Sequence, residues 1–349
     1  MANNQGPPAP IIPLDLWREL YAAAASFQLL APWQWMHDTH ILGINNEHGV
    51  RLVSVLGNLG EVFGLASYRG SVGANFLLRL RSGQFGPESP DARFYQDALL
   101  ADFVLQNDLR KQDRAIIQQI GFQPPVRKPK LFPEFQSHKP GYVPWFIDAA
   151  EACLLLDDLR KSVRFAELLQ TNFTLYDSRP ENALPFFPAA VSEPLTLDQF
   201  EWHIILPVPP PADPPVDARA FNLSPLRALP QPPQSAWELT AFYAPMPIGE
   251  PPRPYFPKAA LGVDAATGLV LAFQIATPEQ TMAQAAASGL SQSIAASGYR
   301  PAVVKLASMN LIRALQPLAD ALGVKLLQAK SLPMADEARR SLEAFSRQS

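Results

Sequence analysis

Three groups of residues carry side chains that could do chemistry, and the first is a histidine cluster. His37, Asp38 and His40 lie close together in the chain, and imidazole and carboxylate groups are ligands that zinc accepts. Two histidines at this spacing are a weak zinc pattern, because a strand that begins at residue 40 would turn neighbouring side chains to opposite faces. A zinc-binding protein centred on these residues is one hypothesis. The alternative is a polar loop edge beside a tryptophan corner.

Asp264 is the second candidate, and the chemistry that it suggests is metal-dependent phosphoryl transfer. It directly follows a short apolar stretch over 259–263. Two-metal catalysis needs several carboxylates around ions that lie about 4 Å apart, so one aspartate cannot perform it alone. The alternative is structural, since aspartate often begins a tight turn. A nuclease based on Asp264 would need other acids, such as Asp336 or Glu337, to lie beside it.

The third candidate is a set of large aromatic side chains that suit binding. Tyr142 and Trp145 follow the Pro140-Gly141 pair, for which we predict a type II turn. Trp33 and Trp35 form a bulky corner after the first predicted helix. Tyrosine and tryptophan are favoured in recognition surfaces, but they serve equally well as anchors in a core. The four side chains could therefore line one binding groove.

Three further patterns predict no site of their own. The glycines between Gly57 and Gly64 lack the following helix that a phosphate-binding loop needs. The basic run over 110–130 is typical of a solvated helix face, although it could meet an acidic partner or nucleic acid. Cys153 falls on the apolar stripe of a predicted helix, so we expect a buried, inert thiol.

Composition narrows the class of protein. The chain has 349 residues, of which 48% are hydrophobic and 17% charged, and its net charge is −3. These values favour two globular domains over a disordered chain. The lack of a basic excess disfavours nucleic acid as the main partner. The single cysteine rules out an internal disulfide, and we see neither a signal peptide nor a membrane span. We expect a cytoplasmic protein that does not meet a membrane and needs no cofactor.

The elements that would position these residues divide into two domains. Over 14–206 we predict an α+β domain with an antiparallel sheet and flanking helices, because short apolar strands alternate with turn residues between 40 and 68. Helices are predicted over 71–82, 92–100 and 109–120. A long helix is predicted to begin near Asp148, where Glu151 completes a capping box.

Proline marks the expected boundary between the domains. Sixteen of the 37 prolines lie in 207–257, and we predict a proline-rich linker or extended segment there. The segment 258–346 then alternates strands with helices, which predicts a small α/β layer domain with a leading hairpin. Its first helix is predicted to begin at Thr277, with Gln280 completing a capping box.

Four stretches of the N-terminal half resemble a family of bacterial proteins. They are Leu20–Ala24 with Phe27, Pro32-Trp33, Gly57–Leu65 with Tyr68 and Gly70, and Phe132–Phe135 with Pro140–Trp145. The resemblance extends over residues 15–170, and the family is one of unknown function. It therefore implies kinship and no activity.

The segment 250–346 resembles, in the order and spacing of its elements, the ribonuclease-H-like fold of integrases and transposases. The stretches that carry this are Ala259–Asp264, Thr267-Gly268 and Arg300–Val304. The resemblance implies an acid on the first strand, which maps on Asp264, and a third acid on the last helix, at Asp336 or Glu337. A second acid is implied near 305–310, where this chain has none. The pattern is therefore degenerate.

The candidates together provide no convincing catalytic set. We therefore favour a non-catalytic interaction or regulatory protein of unknown function, with an unidentified protein as its partner. Two alternatives stay open. One is a metal-dependent nuclease or phosphoryl-transfer enzyme that uses Asp264, and the other is a zinc-binding protein.

Overall fold

The chain forms two compact units, Met1–Pro209 and Pro210–Ser349. A computed structural model describes residues 12–58, 60, 62–83, 94–177, 179–180, 183–208, 212–249, 253–277 and 279–346. Some residues used above lie outside this part of the chain, namely Leu59, Glu61 and residues 92–93, 209–211 and 250–252. Among the described residues, no helix combines the length and the apolar character needed to cross a membrane.

The first unit is built on a mixed sheet of seven strands. The helices are α1 (Leu14–Leu30), α2 (Gly70–Arg81), α3 (Lys111–Ile120) and α4 (Ala149–Gln170). The strands are β1 (Leu42–Asn46), β2 (Gly49–Leu56), β3 (Gly64–Arg69), β4 (Ala98–Leu105), β5 (Leu131–His138), β6 (Ala183–Phe186) and β7 (Glu201–Ile204). They lie in the order β5-β4-β3-β2-β1-β6-β7, so consecutive strands from β1 to β5 are neighbours.

The predicted antiparallel sheet is correct for β1 to β5 and for the pair β6–β7, but not for β1 and β6, which are parallel. Gly43 on β1 faces Phe186 on β6, and a Cβ atom at residue 43 would lie 2.5 Å from the Phe186 ring. This contact joins segments that are far apart in the chain. Turn signals, which are local, therefore give no sign of it.

The predicted helix over 92–100 is wrong where the structure describes it, because residues from Ala98 onward form β4. Alanine and leucine favour helices by propensity, but β4 is paired with β3 on one side and β5 on the other. Cross-strand packing outweighs a weak local preference. Helix α2 confirms the prediction over 71–82, and α3 ends at Gly121, a left-handed glycine cap.

Helices α1 and α4 pack against each other and bury one core of the first unit. The apolar residues of α1, among them Leu20, Ala24 and Phe27, recur at helical spacing, and all three are buried. The capping box at Asp148 and Glu151 is confirmed. Cys153 is exposed, so the expected burial of its thiol was wrong. The buried stripe of α4 passes through Ala152 instead, one residue earlier.

The second unit contains a mixed sheet of five strands. Its helices are α5 (Leu223–Arg227), α6 (Met282–Ser297), α7 (Met309–Leu322) and α8 (Pro333–Ser346). Its strands are β8 (Ala236–Tyr243), β9 (Lys258–Asp264), β10 (Val270–Ile275), β11 (Val303–Leu306) and β12 (Lys325–Gln328). The order is β10-β9-β8-β11-β12, with β11 parallel to both β8 and β12 and the other pairs antiparallel.

The position of β8 corrects the prediction of a linker over 207–257. Residues 236–243 form the central strand of the sheet, and Trp237, Leu239 and Phe242 are buried on it. Prolines surround this strand in sequence but do not interrupt it, so it keeps every backbone N–H that its two neighbouring strands need. The high proline content of the whole segment hid a short apolar strand.

Helix α6 begins one turn later than predicted. The capping box is formed by Thr281 and Gln284, whereas Gln280 accepts a hydrogen bond from the Thr277 backbone N–H. Both pairs have the same Thr-x-x-Gln spacing, and the chain uses the second to start the helix. The alanine-rich face of α6 then packs closely on β9, where a Cβ atom at Gly289 would lie 2.7 Å from the Ala260 Cβ.

Candidate functional site

A pocket of about 420 Å³ in the first unit brings together segments that are distant in sequence. We call it the Gln28 pocket. Its described lining includes Gln28 from α1, Trp33 and Gln34 from the corner after α1, Asn58 and Phe63 from the connection between β2 and β3, and Arg127 and Lys128 from the segment before β5. Its volume lies within the range of about 300–1,000 Å³ that is typical of small-molecule sites.

The corner after α1 places Trp33 against the core. Ala31 ends the helix in a left-handed conformation with a φ of 47°, and Pro32 cannot continue the helix because it lacks a backbone N–H. Trp33 then packs on Phe63 and Phe103, with ring centroids 5.7 and 5.2 Å away. Trp33 is therefore a core anchor whose edge forms part of the pocket wall.

Gly57 lets the connection after β2 approach this tryptophan. Its φ is +133°, and a Cβ atom there would lie 2.8 Å from the Trp33 Cβ. Any other residue would clash and would also be strained at this φ. The backbone N–H of Gly60 donates to the Gly57 carbonyl at 3.0 Å, which closes a turn. This agrees with the interpretation of the glycines as turn residues, and the turn positions Asn58 at the pocket.

Gln28 lines the pocket, and its side-chain amide carries a buried oxygen that is not satisfied. The residue is 1% exposed. Its Nε2 donates to the Leu131 carbonyl at 3.1 Å, and its Oε1 has no hydrogen-bond partner. The carbonyl of Leu131 can only accept, so the hydrogen bond fixes which end of the amide is which. A buried acceptor without a donor costs about 1–3 kcal/mol.

The pocket also carries positive charge. Arg127 and Lys128 are exposed, and the described lining contains no carboxylate. The Arg127 guanidinium donates to the backbone carbonyl of Leu29, at the end of α1, which fixes the position of its planar group. The basic run that was predicted to be a solvated face therefore places two of its cations at a concave site. Arg127 lies 99 residues after Gln28 in the sequence.

His37 lies beside this pocket through its contact with Asn58, and the Nδ1 atoms of His37 and His40 make protein contacts. The His37 backbone N–H donates to His40 Nδ1 at 3.2 Å, and the Asn58 amide lies 3.0 Å from His37 Nδ1. Burial lowers the pKa of His40, and the nearby His37 lowers it further. Within the described residues, no group of three histidine, cysteine, aspartate or glutamate side chains could hold a metal ion. The contact with Asn58 means that His37 supports the rim of the pocket.

The four predicted binding aromatics do not share one groove. Trp33 lies near Leu131 at the start of β5, because both residues line the Gln28 pocket. Trp145 pairs through its backbone with Ser137, near the end of the same strand. Six residues of strand separate these points by roughly 20 Å. The turn before Tyr142 forms as predicted, with Gly141 at a φ of +78° and the Tyr142 N–H bonded to the Lys139 carbonyl.

Trp35, the remaining aromatic of the predicted set, packs edge-on against Phe173, with ring centroids 5.6 Å apart. It does not line the Gln28 pocket in the part of the chain that the structure describes. The sequence pattern therefore grouped Trp33 with Trp145, which lie near opposite ends of β5. It missed Gln28, Asn58, Arg127 and Lys128 as residues that line one pocket. The long sequence separations between them leave no local signal.

The Asp264 carboxylate is engaged in the turn that follows β9. One of its oxygens accepts hydrogen bonds from the Ala266 N–H, the Thr267 N–H and the Thr267 hydroxyl at 2.9–3.0 Å. The other accepts from the Tyr299 hydroxyl at 3.0 Å, and that hydroxyl accepts from Trp237 Nε1. The turn interpretation is therefore correct. Asp264 ends the second strand of this unit and not its first.

The first strand of the second unit carries a different acid, Glu238. This residue is buried, and its Oε2 accepts a hydrogen bond from the Ala335 N–H in the first turn of α8 at 2.9 Å. A carboxylate at a helix N-terminus satisfies a free backbone donor and complements the helix dipole. Glu238 therefore holds the start of α8 on the central strand.

The Asp264 carboxylate makes the free energy of unfolding depend on pH. Burial acts to raise its pKa, but the hydrogen bonds from Thr267, Tyr299 and Ala266 outweigh burial and hold the pKa below its usual value. A lowered pKa in the folded state means that stability is present above about pH 4 and is lost as the pH falls further.

We therefore expect Asp264→Asn to lower the free energy of unfolding by about 1 kcal/mol at pH 7, and by progressively less below pH 4. Urea denaturation across this range, with the exposed Glu337→Gln as control, measures the difference. A deficit that stayed constant down to pH 2.5 would contradict the assigned role of the carboxylate.

Two buried aspartates of the first unit lie in contrasting surroundings. Asp158 is fully buried between Arg51, whose Nε lies 2.8 Å away, and Ser67, whose hydroxyl donates at 2.6 Å. Burial raises the pKa of Asp158 to about 6, and Arg51 and Ser67 oppose that rise. The neighbouring Asp157 accepts from the same arginine at 2.9 Å but is 35% exposed. This cluster joins β2 and β3 to α4.

Asp102 on β4 has no comparable partner. Its Oδ1 is buried without a hydrogen bond. Burial raises the pKa of Asp102 to about 7, the nearby Glu134 raises it further, and Arg110 lowers it. Arg110 itself is engaged with Asp113 and Glu134, each at 2.7 Å. One cation thus serves three acids, and Asp102 is the one without a direct bond to it among the contacts that the structure describes.

Comparison with known proteins found similarity to two families and to one solved structure. Residues 17–184 match a domain of unknown function, DUF7309. Residues 222–343 match another, DUF6930. The chain is similar to two families of unknown function. No curated protein matches it.

A solved structure, the catalytic core domain of BIV integrase, is similar at 15% identity with a TM-score of 0.23. The match covers 31% of this chain and 64% of the integrase chain. This chain therefore spans less than two thirds of that protein.

Proposed function

We propose that this protein is a non-catalytic interaction or regulatory protein whose first unit binds a ligand in the Gln28 pocket. The observation that carries the proposal is the chemistry of the pocket wall. Its described side chains are amides, cations and apolar groups, and they include no serine, cysteine, histidine or carboxylate. Such groups bind and orient a ligand, and the described lining holds no hydroxyl, thiol, imidazole or carboxylate for nucleophilic or general-base catalysis.

We also propose that the second unit is a ribonuclease-H-like scaffold without the acid set of a nuclease. Three antiparallel strands followed by two parallel strands, with helices between the later ones, support this fold. The acids on its strands support the loss of catalysis. The Asp264 carboxylate accepts hydrogen bonds within its own turn, and the Glu238 carboxylate caps α8. Near 305–310, where a nuclease would need a further acid, Ser308 caps α7.

The test is a nuclease assay on the full chain with Mg²⁺ or Mn²⁺ and single-stranded, double-stranded and hybrid substrates. We expect no cleavage above the rate of a purified Asp264→Ala, Glu238→Gln double variant, because two-metal chemistry needs several free carboxylates. Elemental analysis of the same preparation is expected to find no stoichiometric zinc. Metal-dependent cleavage that the double variant abolishes would overturn the proposal.

A further inference from the structure

We infer that strand β10 pairs antiparallel with β10 of a second copy of this chain, so that the second unit forms a two-fold symmetric dimer. The inference goes beyond the proposed function, because it does not involve the Gln28 pocket. Three features of β10 support it: the backbone groups at its outer edge, its uncharged apolar sequence, and its fit to its own copy.

Strand β10 lies at an edge of the five-stranded sheet, since β9 is its one neighbour among the strands that the structure describes. The Ala276 N–H donates to the Lys258 carbonyl at 2.8 Å. Hydrogen-bonded and non-hydrogen-bonded pairs alternate along an antiparallel ladder, so the backbone groups of Phe273 and Ile275 point away from β9. The Ile275 carbonyl accepts from the Gln274 side-chain amide at 3.0 Å, and a carbonyl oxygen can accept a second bond. A further strand can therefore pair at this edge.

The side chains of the same two residues are apolar and exposed. Phe273 is 38% exposed and Ile275 is 47% exposed. They lie opposite Leu261 and Ala259 on β9, which are buried in the core that β9 forms with α8. The register of β10 shifts before Ala272, so the strand is regular where these residues lie. Phe273 and Ile275 thus extend an apolar sheet face beyond the part that α8 covers.

The other three edges of the two described sheets carry features that hinder pairing with another chain. Strand β5 contains Pro133, and Trp145 forms a bridge near its end. Strands β7 and β12 are four residues long and begin with Glu201 and Lys325. Proline, charge and short length are the usual protections of an exposed edge. Strand β10 has six residues and contains neither proline nor a charged side chain, so its sequence suits a paired edge.

The strand is complementary to its own copy. A two-fold axis at Gln274 places Phe273 of each copy opposite Ile275 of the other, and such aromatic and β-branched cross-strand pairs are stabilising. Both pairs are of the hydrogen-bonded kind, because their backbone groups point outward, while Gln274 faces Gln274 in a non-hydrogen-bonded pair. The pairing uses this edge in both copies, so assembly closes at the dimer.

The first experiment is sedimentation velocity of the full chain, whose monomer mass is 38.3 kDa. We expect a reversible dimer with a micromolar Kd, because a strand-to-strand interface of this length belongs to the small, weak class. A chain that stays monomeric up to about 100 μM, or that forms an open series of larger oligomers, would overturn the inference. Either result would leave the proposed binding function of the first unit in place.

A charge on the strand tests which edge is used. Ile275→Lys is expected to raise the Kd of the dimer about tenfold or more, because it places a charge opposite Phe273 in both pairs. Leu269→Lys is the matched control, since Leu269 is also an exposed apolar residue but precedes β10. Circular dichroism verifies that both variants are folded. An equal weakening by both variants would mean general repulsion between charges and would refute the assigned edge.

Cross-linking tests the register. In a Cys153→Ser background, which removes the exposed native thiol, Gln274→Cys is expected to form a disulfide between two copies under mild oxidation. The Cα atoms of a non-hydrogen-bonded pair lie about 4.5 Å apart, which a disulfide can span. Gln328→Cys in the same background is the control, because Gln328 is exposed on β12 at the opposite edge of the sheet. Cross-linking of both variants to the same extent on a non-reducing gel would contradict the proposed pairing.

Discussion

Asp158→Ala is expected to lower the free energy of unfolding by about 3–5 kcal/mol at pH 8, which is the usual cost of removing one partner from a buried ion pair. At this pH the carboxyl is ionised, because its pKa is about 6. Its loss leaves the guanidinium of Arg51, which is 1% exposed, without its most buried partner, and it leaves the Ser67 hydroxyl without an acceptor. Urea denaturation followed by circular dichroism measures the change.

The adjacent residue provides a matched control. Asp157→Ala removes a carboxylate that contacts the same guanidinium at 2.9 Å, but this side chain is 35% exposed and water can replace it. We expect a loss of about 1 kcal/mol or less, as for surface ion pairs. Equal losses in the two variants would show that burial does not set the strength of this cluster.

Asp102→Asn is expected to have the opposite effect and to stabilise the protein at alkaline pH. The folded pKa of Asp102 is about 7 and its ordinary value is 3.8, so the folded state holds the proton more tightly than the unfolded state. The stability from this group is complete below pH 4, falls as the pH rises, and is gone above about pH 7. An amide at this position stays neutral and avoids that loss.

The stabilisation by Asp102→Asn should therefore be about 2–3 kcal/mol larger at pH 8 than at pH 5, since the two pH units between pH 5 and pH 7 correspond to that free energy. Denaturation of wild type and variant at both pH values provides the comparison. Asp108→Asn, an exposed acid shortly after β4, is the control and should show no such difference. A variant that is less stable than wild type at pH 8 would mean that the carboxylate has an ionic partner there.

Local chemistry made part of the fold predictable. The capping box of Asp148 and Glu151 depends on residues three apart, and it begins α4 as expected. Three helices end at glycines in the left-handed conformation, which glycine adopts without steric cost. They are α3, α6 and α7, which end at Gly121, Gly298 and Gly323. Asp264 forms its turn because its bonding partners follow within three residues. Such signals need no knowledge of the rest of the chain.

Contacts across the sheets were not predictable in this way. Residues 98–100, which were predicted to be helical, instead begin β4 because β3 and β5 pair with them on both sides. Strand β8 was hidden within the proline-rich segment, and only its pairing with β9 and β11 identifies it as central. The Gln28 pocket depends on residues from 28 to 131, whose proximity follows from the packing of α1 and the start of β5.

Glu238 limits how this protein could be re-engineered. A designer who wished to install a metal centre on the central strand would first recruit the carboxylate already present there. That carboxylate is the hydrogen-bond acceptor for the Ala335 N–H, and turning it toward a cation would leave the backbone donor buried and unpaired, at a cost of about 1–3 kcal/mol. Helix α8 would therefore need a replacement acceptor, such as a new side chain at its N-cap, before any metal ligand were added.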